Sequence, residues 1–312
     1  DEFAIFDDKL SASTVTDIYN SGCPTDLSNQ SYLLGYWRNG DTTGTAASPT
    51  ITDDSSNSNN GTMTNMVSTD IIPETPCQTF ANLYSLDFDG VDDYVAVGND
   101  SALTITDDIT ISTWINISSF VDNASILEYA LPANETEAGN FLYRITLESS
   151  GGIGNDIKLG HEYGSGSNQF GTIDANLSTG VWYHLAAVRD ISEKTWTLYV
   201  NGVAKTPYTY TNQATGGGSS ELQIARAGTT VYYNGNIDEL SIFNSAKSSG
   251  DITSIYNSGT PTDLSGESGL VGYWRNGDPN GTAAFPTITD DSSNSNDGTM
   301  TNMASGDIVT DV

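Results

Sequence analysis

Thr110-Ile111-Ser112-Thr113-Trp114-Ile115-Asn116-Ile117 alternates in character over eight residues, so Ile111, Thr113, Ile115 and Ile117 share one face. A period of two is the pleat of a half-buried β-strand. Outward from this stretch the pattern recurs at Tyr84–Asp89, Tyr94–Val97, Phe141–Leu147, Ile157–Glu162, Trp182–Arg189, Thr195–Val200, Leu222–Ala225 and Ile237–Phe243. Asn201-Gly202 joins Thr197-Leu198-Tyr199-Val200 to Val203-Ala204-Lys205. Both residues of such a pair tolerate positive φ, as a type I′ hairpin turn requires. Many short alternating strands with Gly-rich turns predict an all-β chain folded as an antiparallel β-sandwich. One helical piece, Ser248 to Tyr256, sets Ile252, Ile255 and Tyr256 on one face, and Asn257-Ser258-Gly259 stops it. It has a copy at Ala12 to Tyr19.

That copy is part of a longer repeat. Gly35-Tyr36-Trp37-Arg38-Asn39-Gly40-Asp41 returns as Gly272-Tyr273-Trp274-Arg275-Asn276-Gly277-Asp278, and the offset of 237 holds without a gap from Asp1/Asp238 to Asp70/Asp307. Pro49 to Gly61 and Pro286 to Gly298 differ only at Asn60/Asp297. Solenoid repeats run roughly 20 to 50 residues, so this period has the size of one large β-domain. The chain therefore reads as about one and a third units of a tandem array.

Ten Lys and Arg stand against 40 Asp and Glu, a formal charge of −30. Such a surface repels phosphate backbones and anionic lipid, which argues against nucleic-acid and membrane-surface partners. No stretch reaches the roughly 18 apolar residues that read as a membrane span. Cys23 and Cys77 flank the first Gly-Tyr-Trp segment. Their placement suggests a disulfide and an oxidising, extracellular compartment; two unpaired thiols are the alternative.

Several segments resemble one family. Leu86-Asp87-Phe88-Asp89-Gly90-Val91-Asp92-Asp93-Tyr94-Val95 is similar to the opening strand pair of the laminin-G-like, concanavalin-A-like jelly rolls. Ile109–Ile115, Val181–Arg189, Leu198–Gly202 and Asn236–Phe243 resemble successive later strands, and the helix ending at Tyr256 resembles the one after the last strand. Leu34-Gly35-Tyr36-Trp37 with Asp53–Gly61 resembles the family's N-terminal pattern. The resemblance implies a concanavalin-A-like jelly roll with one short helix after the last strand. It also implies a frame: 1–31 closing a preceding repeat, 32–268 a complete domain, and 269–312 opening a following one. Packing of 269–312 back on the central domain is the alternative.

Residues for chemistry are sparse. Jelly-roll glycosidases that the chain resembles carry E-x-D-x-x-E on one strand, and this sequence has no such motif. Glu135 and Glu137 lie in a loop-like stretch, Glu148 and Glu162 are lone strand-end acids, and His161 and His184 are the only histidines. The reading is a non-enzymatic domain.

Asp53-Asp54-Ser55-Ser56-Asn57-Ser58-Asn59-Asn60-Gly61 offers hard oxygen ligands of the kind Ca²⁺ takes. The resemblance adds an Asp of the last strand, here Asp238. The expected structural calcium set is thus Asp53, Asp54, Asn57, Asn59 and Asp238, with repeat equivalents Asp290, Asp291, Asn294, Asn296 and Asp1. The same residue types also favour turns through side-chain-to-backbone hydrogen bonds. For ligand recognition, Tyr163, Phe170, Tyr208, Tyr210, Tyr232 and Tyr233 are stacking candidates, with Tyr208, Tyr210, Tyr232 and Tyr233 the expected set, while Trp37, Trp114, Trp182 and Trp196 fall at core strand positions.

The near-identical repeat points to a large surface adhesin or filament, its partners neighbouring repeats, identical subunits or glycans. The alternatives are a carbohydrate-binding module of a secreted polysaccharide-degrading enzyme and a viral or phage fibre domain.

Overall fold

The computed structural model describes residues 2–19, 26–39, 48–71, 82–130, 141–148, 155–163, 167–215, 221–228, 230–278 and 281–310. The chain forms two units, 1–80 and 81–312.

In the 81–312 unit the alternating segments become two antiparallel sheets. One runs Val203–Ala204, Thr195–Val200, Trp182–Asp190, Ile109–Ile117, Asn234–Phe243, Tyr84–Asp89, Ile308–Thr310, with Tyr208–Thr209 and Leu270–Trp274 attached. The other runs Asn168–Ile173, Asp156–Glu162, Phe141–Glu148, Ser125–Ala130, Glu221–Ile224, Tyr94–Gly98, Gly298–Thr301, Thr287–Ile288. Ile111, Ile115, Leu185, Leu198 and Ile237 from the first sheet join Leu127, Ile145, Leu159, Leu222 and Ile224 from the second in one core. Burying each such side chain is worth about 1.5–3 kcal/mol. Asn201 and Gly202 both have positive φ, 50° and 75°, as the hairpin requires.

The nine-stranded sheet is covered on its other face as well. Helix Ser249–Tyr256 starts from a reciprocal cap in which Ser248 and Asp251 bond each other's backbone N–H. Its Ile252 and Ile255 pack with Ala186, Val188, Tyr199, Phe243 and Tyr273. The ring of Tyr256 stacks on Trp114 at 5.9 Å between centroids. This helix accounts for the burial of His184 and Ser112 on a face that alternation alone would leave wet.

In the 81–312 unit, residues 270–310 pair with the central strands, the arrangement given above as the alternative for 269–312. Leu270–Trp274 pairs with Asn234–Phe243, Gly298–Thr301 with Tyr94–Gly98, and Ile308–Thr310 with Tyr84–Asp89. Residues 270–310 thus complete the sandwich, and 32–71 fall in the first unit. The reason is register: Gly-Tyr-Trp is a partner for the strand some 30 residues before it. In the 1–80 unit Phe3–Phe6 pairs with Leu33–Trp37, and Thr50–Ile51 with Gly61–Thr62.

Candidate functional site

The Asp/Asn loop is built around a single carboxylate. Oδ1 of Asp290 accepts the backbone N–H of Tyr273 (2.8 Å) and of Ser292 (2.9 Å). Its Oδ2 accepts Asn296 N–H (2.7 Å) and the Ser292 hydroxyl (2.9 Å). Asn294 and Asn296 spend their side-chain amides on the Val271 carbonyl. The first unit repeats this arrangement: Asp53 accepts N–H bonds from Tyr36, Ser55 and Asn59, and Asn57 and Asn59 donate to the Leu34 carbonyl. Burial works to raise the pKa of Asp53, but those N–H donors hold it at about 2.

Of the expected calcium residues, Asp53, Asp290 and Asp238 turn carboxylate oxygens to the fold's own donors. Four donors already occupy the acceptor positions of Asp290, and Asp238 is buried in its strand with Oδ1 on the Glu239 N–H. Asp54 and Asp291 enter the loop through backbone N–H bonds to Tyr36 and Tyr273. Asp1 lies outside the described residues, as do Cys23, Cys77, Glu135 and Glu137. Among the described residues, the acidic oxygens that converge belong to Asp89, Asp92 and Asp93, in the turn after Phe88. There burial, then the charges of Asp89, Asp307 and Asp92, push Asp93 up to about 6 against the bond from Asp89 N–H.

The tyrosines separate. Tyr210 and Tyr233 are in the core: the Tyr210 hydroxyl donates to Asp190 O and that of Tyr233 to Asn116 O, so neither offers a ring to a ligand. Tyr208 and Tyr232 are half-buried. Tyr208 lies on Gly171, where an added Cβ would stand 2.0 Å from its Cγ. Tyr208 packs, half-buried, against the same core that holds Tyr210. The tryptophans at 114 and 196 are buried and those at 37 and 182 half-buried.

Both histidines are internal. His184 Nε2 meets Ser112 Oγ at 2.8 Å. His161 Nδ1 accepts the Trp196 indole N–H at 3.0 Å, and its Nε2 lies 2.8 Å from Asn212 O. Burial lowers both to about 4, which keeps them neutral at pH 7.

A strip that no sequence motif marks lies on the outer face of the eight-stranded sheet. Tyr143, Ile145 and Leu147 enter the core, so Arg144, Thr146 and Glu148 lie on the opposite side. Directly across from Arg144 are Glu128 on one neighbour and Gly160 on the other, and Phe170 follows Gly160. Arg144 Nε sits 2.6 Å from Glu128 Oε2, and Lys158 Nζ sits 2.9 Å from Glu148 Oε2. Phe141 and Phe170 stack at 5.0 Å with 23° between their planes. Arg144 lies 5.6 Å from the Phe141 centroid, and Lys158 lies 5.0 Å from that of Phe170. Gly160 makes the seat: a Cβ there would fall 2.2 Å from Phe170 Cδ1. The strip therefore exposes part of Phe170, which is half-buried against the buried Phe141 and edged by two cation–carboxylate pairs. In sequence, Phe170 is already a stacking candidate, and the isolated glycine inside a strand marks a close approach.

A family model described as the concanavalin A-like lectin/glucanase superfamily matches residues 89–253, over half of the chain. Among solved structures, a candidate carbohydrate-binding protein from Bacteroides ovatus aligns at 17% identity and TM-score 0.51, covering 82% of this chain. The alignment spans 66% of that protein's own length. A carbohydrate-binding module of a Ruminococcus gnavus sialidase bound to α2,3-sialyllactose aligns at 13% identity and TM-score 0.45, covering 55% of this chain and 96% of that one. Domain 4 of an extracellular arabinanase from Geobacillus stearothermophilus, in complex with arabinotriose, aligns at 20% identity and TM-score 0.40, covering 55% and 76%. No curated protein matches the sequence. By fold and by the extent of the family match, the chain belongs to the concanavalin A-like lectin/glucanase superfamily.

Proposed function

We propose that the chain is a non-catalytic, extracellular glycan-recognition module whose binding face is the strip around the half-buried Phe170, which rests on the buried Phe141. The observation that carries this is the aromatic pair bordered by Arg144–Glu128 and Lys158–Glu148. A sugar ring packs its C–H face on an aromatic plane, and its hydroxyls need donors and acceptors side by side. The partly exposed Arg144, Lys158 and Glu148 supply both within one row, while Glu128 is buried behind Arg144. They also leave no uncompensated positive charge, and the chain carries −30. The substrate class that fits is therefore a neutral glycan rather than an acidic one. The non-catalytic reading rests on the neutral, buried histidines and on the absence of the paired-acid motif of related hydrolases.

An array of neutral and acidic glycans, followed by titration calorimetry, tests this. Binding of a neutral oligosaccharide that falls at least tenfold in Phe170→Ala supports the proposal. Silence across the array, or binding indifferent to Phe170, removes it. The gapless repeat supports a second layer of the same reading, modules displayed in series on a surface adhesin.

A further inference from the structure

Among the described residues, 2–71 and 239–308 carry the same strand and helix arrangement twice, once covered and once bare. Phe3↔Trp37, Ala4↔Tyr36 and Ile5↔Gly35 repeat the register Leu240↔Trp274, Ser241↔Tyr273 and Ile242↔Gly272, down to the irregularity after Ile5 and after Ile242. The Asp53 and Asp290 braces match, as do the indole bonds of Trp37 to Asn59 O and of Trp274 to Asn296 O. The apolar residues differ in what they meet. Leu240, Ile242, Val271 and Met303 are at most 8% exposed and belong to the core cluster shared with strands between 84 and 237. Their counterparts Phe3, Ile5, Leu34 and Met66 are 57, 42, 42 and 50% exposed. Val15 on the first helix is 53% exposed, against 0% for its counterpart Ile252. Exposed apolar side chains at positions whose counterparts are buried mark a docking face.

We infer that residues 2–71 are the closing half of a second jelly roll, and that their apolar face takes a body equivalent to residues 84–237. Three observations select this occupant. The register of the bare pair already equals that of the covered one, so no rearrangement precedes docking. The bare residues are those whose counterparts pack with the 84–237 strands, whereas Tyr36 is buried within its own half. The sequence offset is constant, so a body of that length ending in Ile237 runs directly into Asp1 as Ile237 runs into Asp238. The folding unit of the array is then the 81–312 frame, with Gly-Tyr-Trp near its end.

The experiment fuses a copy of residues 81–237 to Asp1 of the full chain and follows hydrogen exchange by mass spectrometry. The expected result is that peptides covering 2–37 and 61–71 slow at least tenfold, to the rates of 239–274 and 298–308. Phe3→Asp with Ile5→Asp is expected to abolish that gain in the fused protein. In the 312-residue chain the same pair is expected to leave melting of the 81–312 unit unchanged. Unchanged exchange of 2–37 after fusion overturns the inference, whether the added copy folds alone or fails to fold. So does a gain in protection that survives the two charges.

Discussion

The carboxylate of Glu239 accepts the hydroxyl proton of Tyr273, joining Asn234–Phe243 to Leu270–Trp274 at a backbone irregularity where Glu239 has φ 47°. Arg275 completes the group through Nε, 3.3 Å from Glu239 Oε1. The first unit repeats it with Glu2, Tyr36 and Arg38. A non-glycine residue at positive φ costs about 1 kcal/mol or more and persists where its surroundings over-determine it. Here the hydrogen bond and the ion pair do so.

Burial pushes Glu239 up to about 7, against the lowering pull of Tyr273 and Arg275. A folded-state pKa above the unfolded one contributes stability at low pH that is lost as pH rises through the folded value. Melting temperature of the 81–312 unit is therefore expected to fall as pH rises from about 4.5 to about 7 and to level off above that. Tyr273→Phe is expected to cost about 1–2 kcal/mol by leaving a buried acceptor short of a donor. It also moves the Glu239 titration upward, because it removes a bond that favours the charged form. Denaturant titrations at pH 5.5 and 8 check both; a variant with unaltered pH dependence contradicts the assignment.

Asp93 gives an independent pH signal. With its pKa raised to about 6, it stabilises the fold below pH 4, and that contribution disappears as pH climbs through 6. Asp93→Asn keeps an oxygen for the Asp89 N–H and removes the charge facing Asp89, Asp92 and Asp307. The variant is expected to gain about 1 kcal/mol at pH 7, after solvent screening, and nothing at pH 4. Equal stability of the two proteins at both pH values counts against this.

The Asp290 loop is expected to be independent of calcium. Chelator should leave the melting temperature within about 1 °C, since protein donors hold all four acceptor positions, and a ligand stabilises only the state that binds it. Asp290→Ala, by contrast, strands four donors and is expected to cost about 3 kcal/mol or more. A drop of several degrees on chelation would return the loop to the metal reading.

Gly160→Ala tests the strip without touching a charge. The added methyl has no room beside Phe170 and must displace it from Phe141. The expectation is a loss of about 1–2 kcal/mol in stability together with weakened glycan binding. Calorimetry on a variant shown to be folded by circular dichroism separates the two effects.

How much of this was legible in sequence follows from how local each determinant is. The alternation at Thr110–Ile117, the Asn201-Gly202 turn and the Ser248 cap depend on neighbours within a few residues, and the structure carries all three. The partner of Gly-Tyr-Trp is not local: resemblance puts the motif at a domain's start, whereas strand register puts it beside the closing strand. In the Asp/Asn loop the residue types were visible, but whether they face a cation or their own backbone depends on the direction of N–H groups from Tyr273 and Asn296. Phe141 and Phe170 are brought together solely by two strand registers, and only Gly160 hints at the contact.

Tyr84 pairs with Thr310 and Leu86 with Ile308, so the first and last strands of the 81–312 unit lie side by side and antiparallel, with both ends at the same corner. Tension applied through those ends pulls the two strands apart in a peel. The ladder bonds then carry the load one after another instead of sharing it. A module held this way yields at low force and releases chain length early, which would make an array of them a shock absorber rather than a stiff rod.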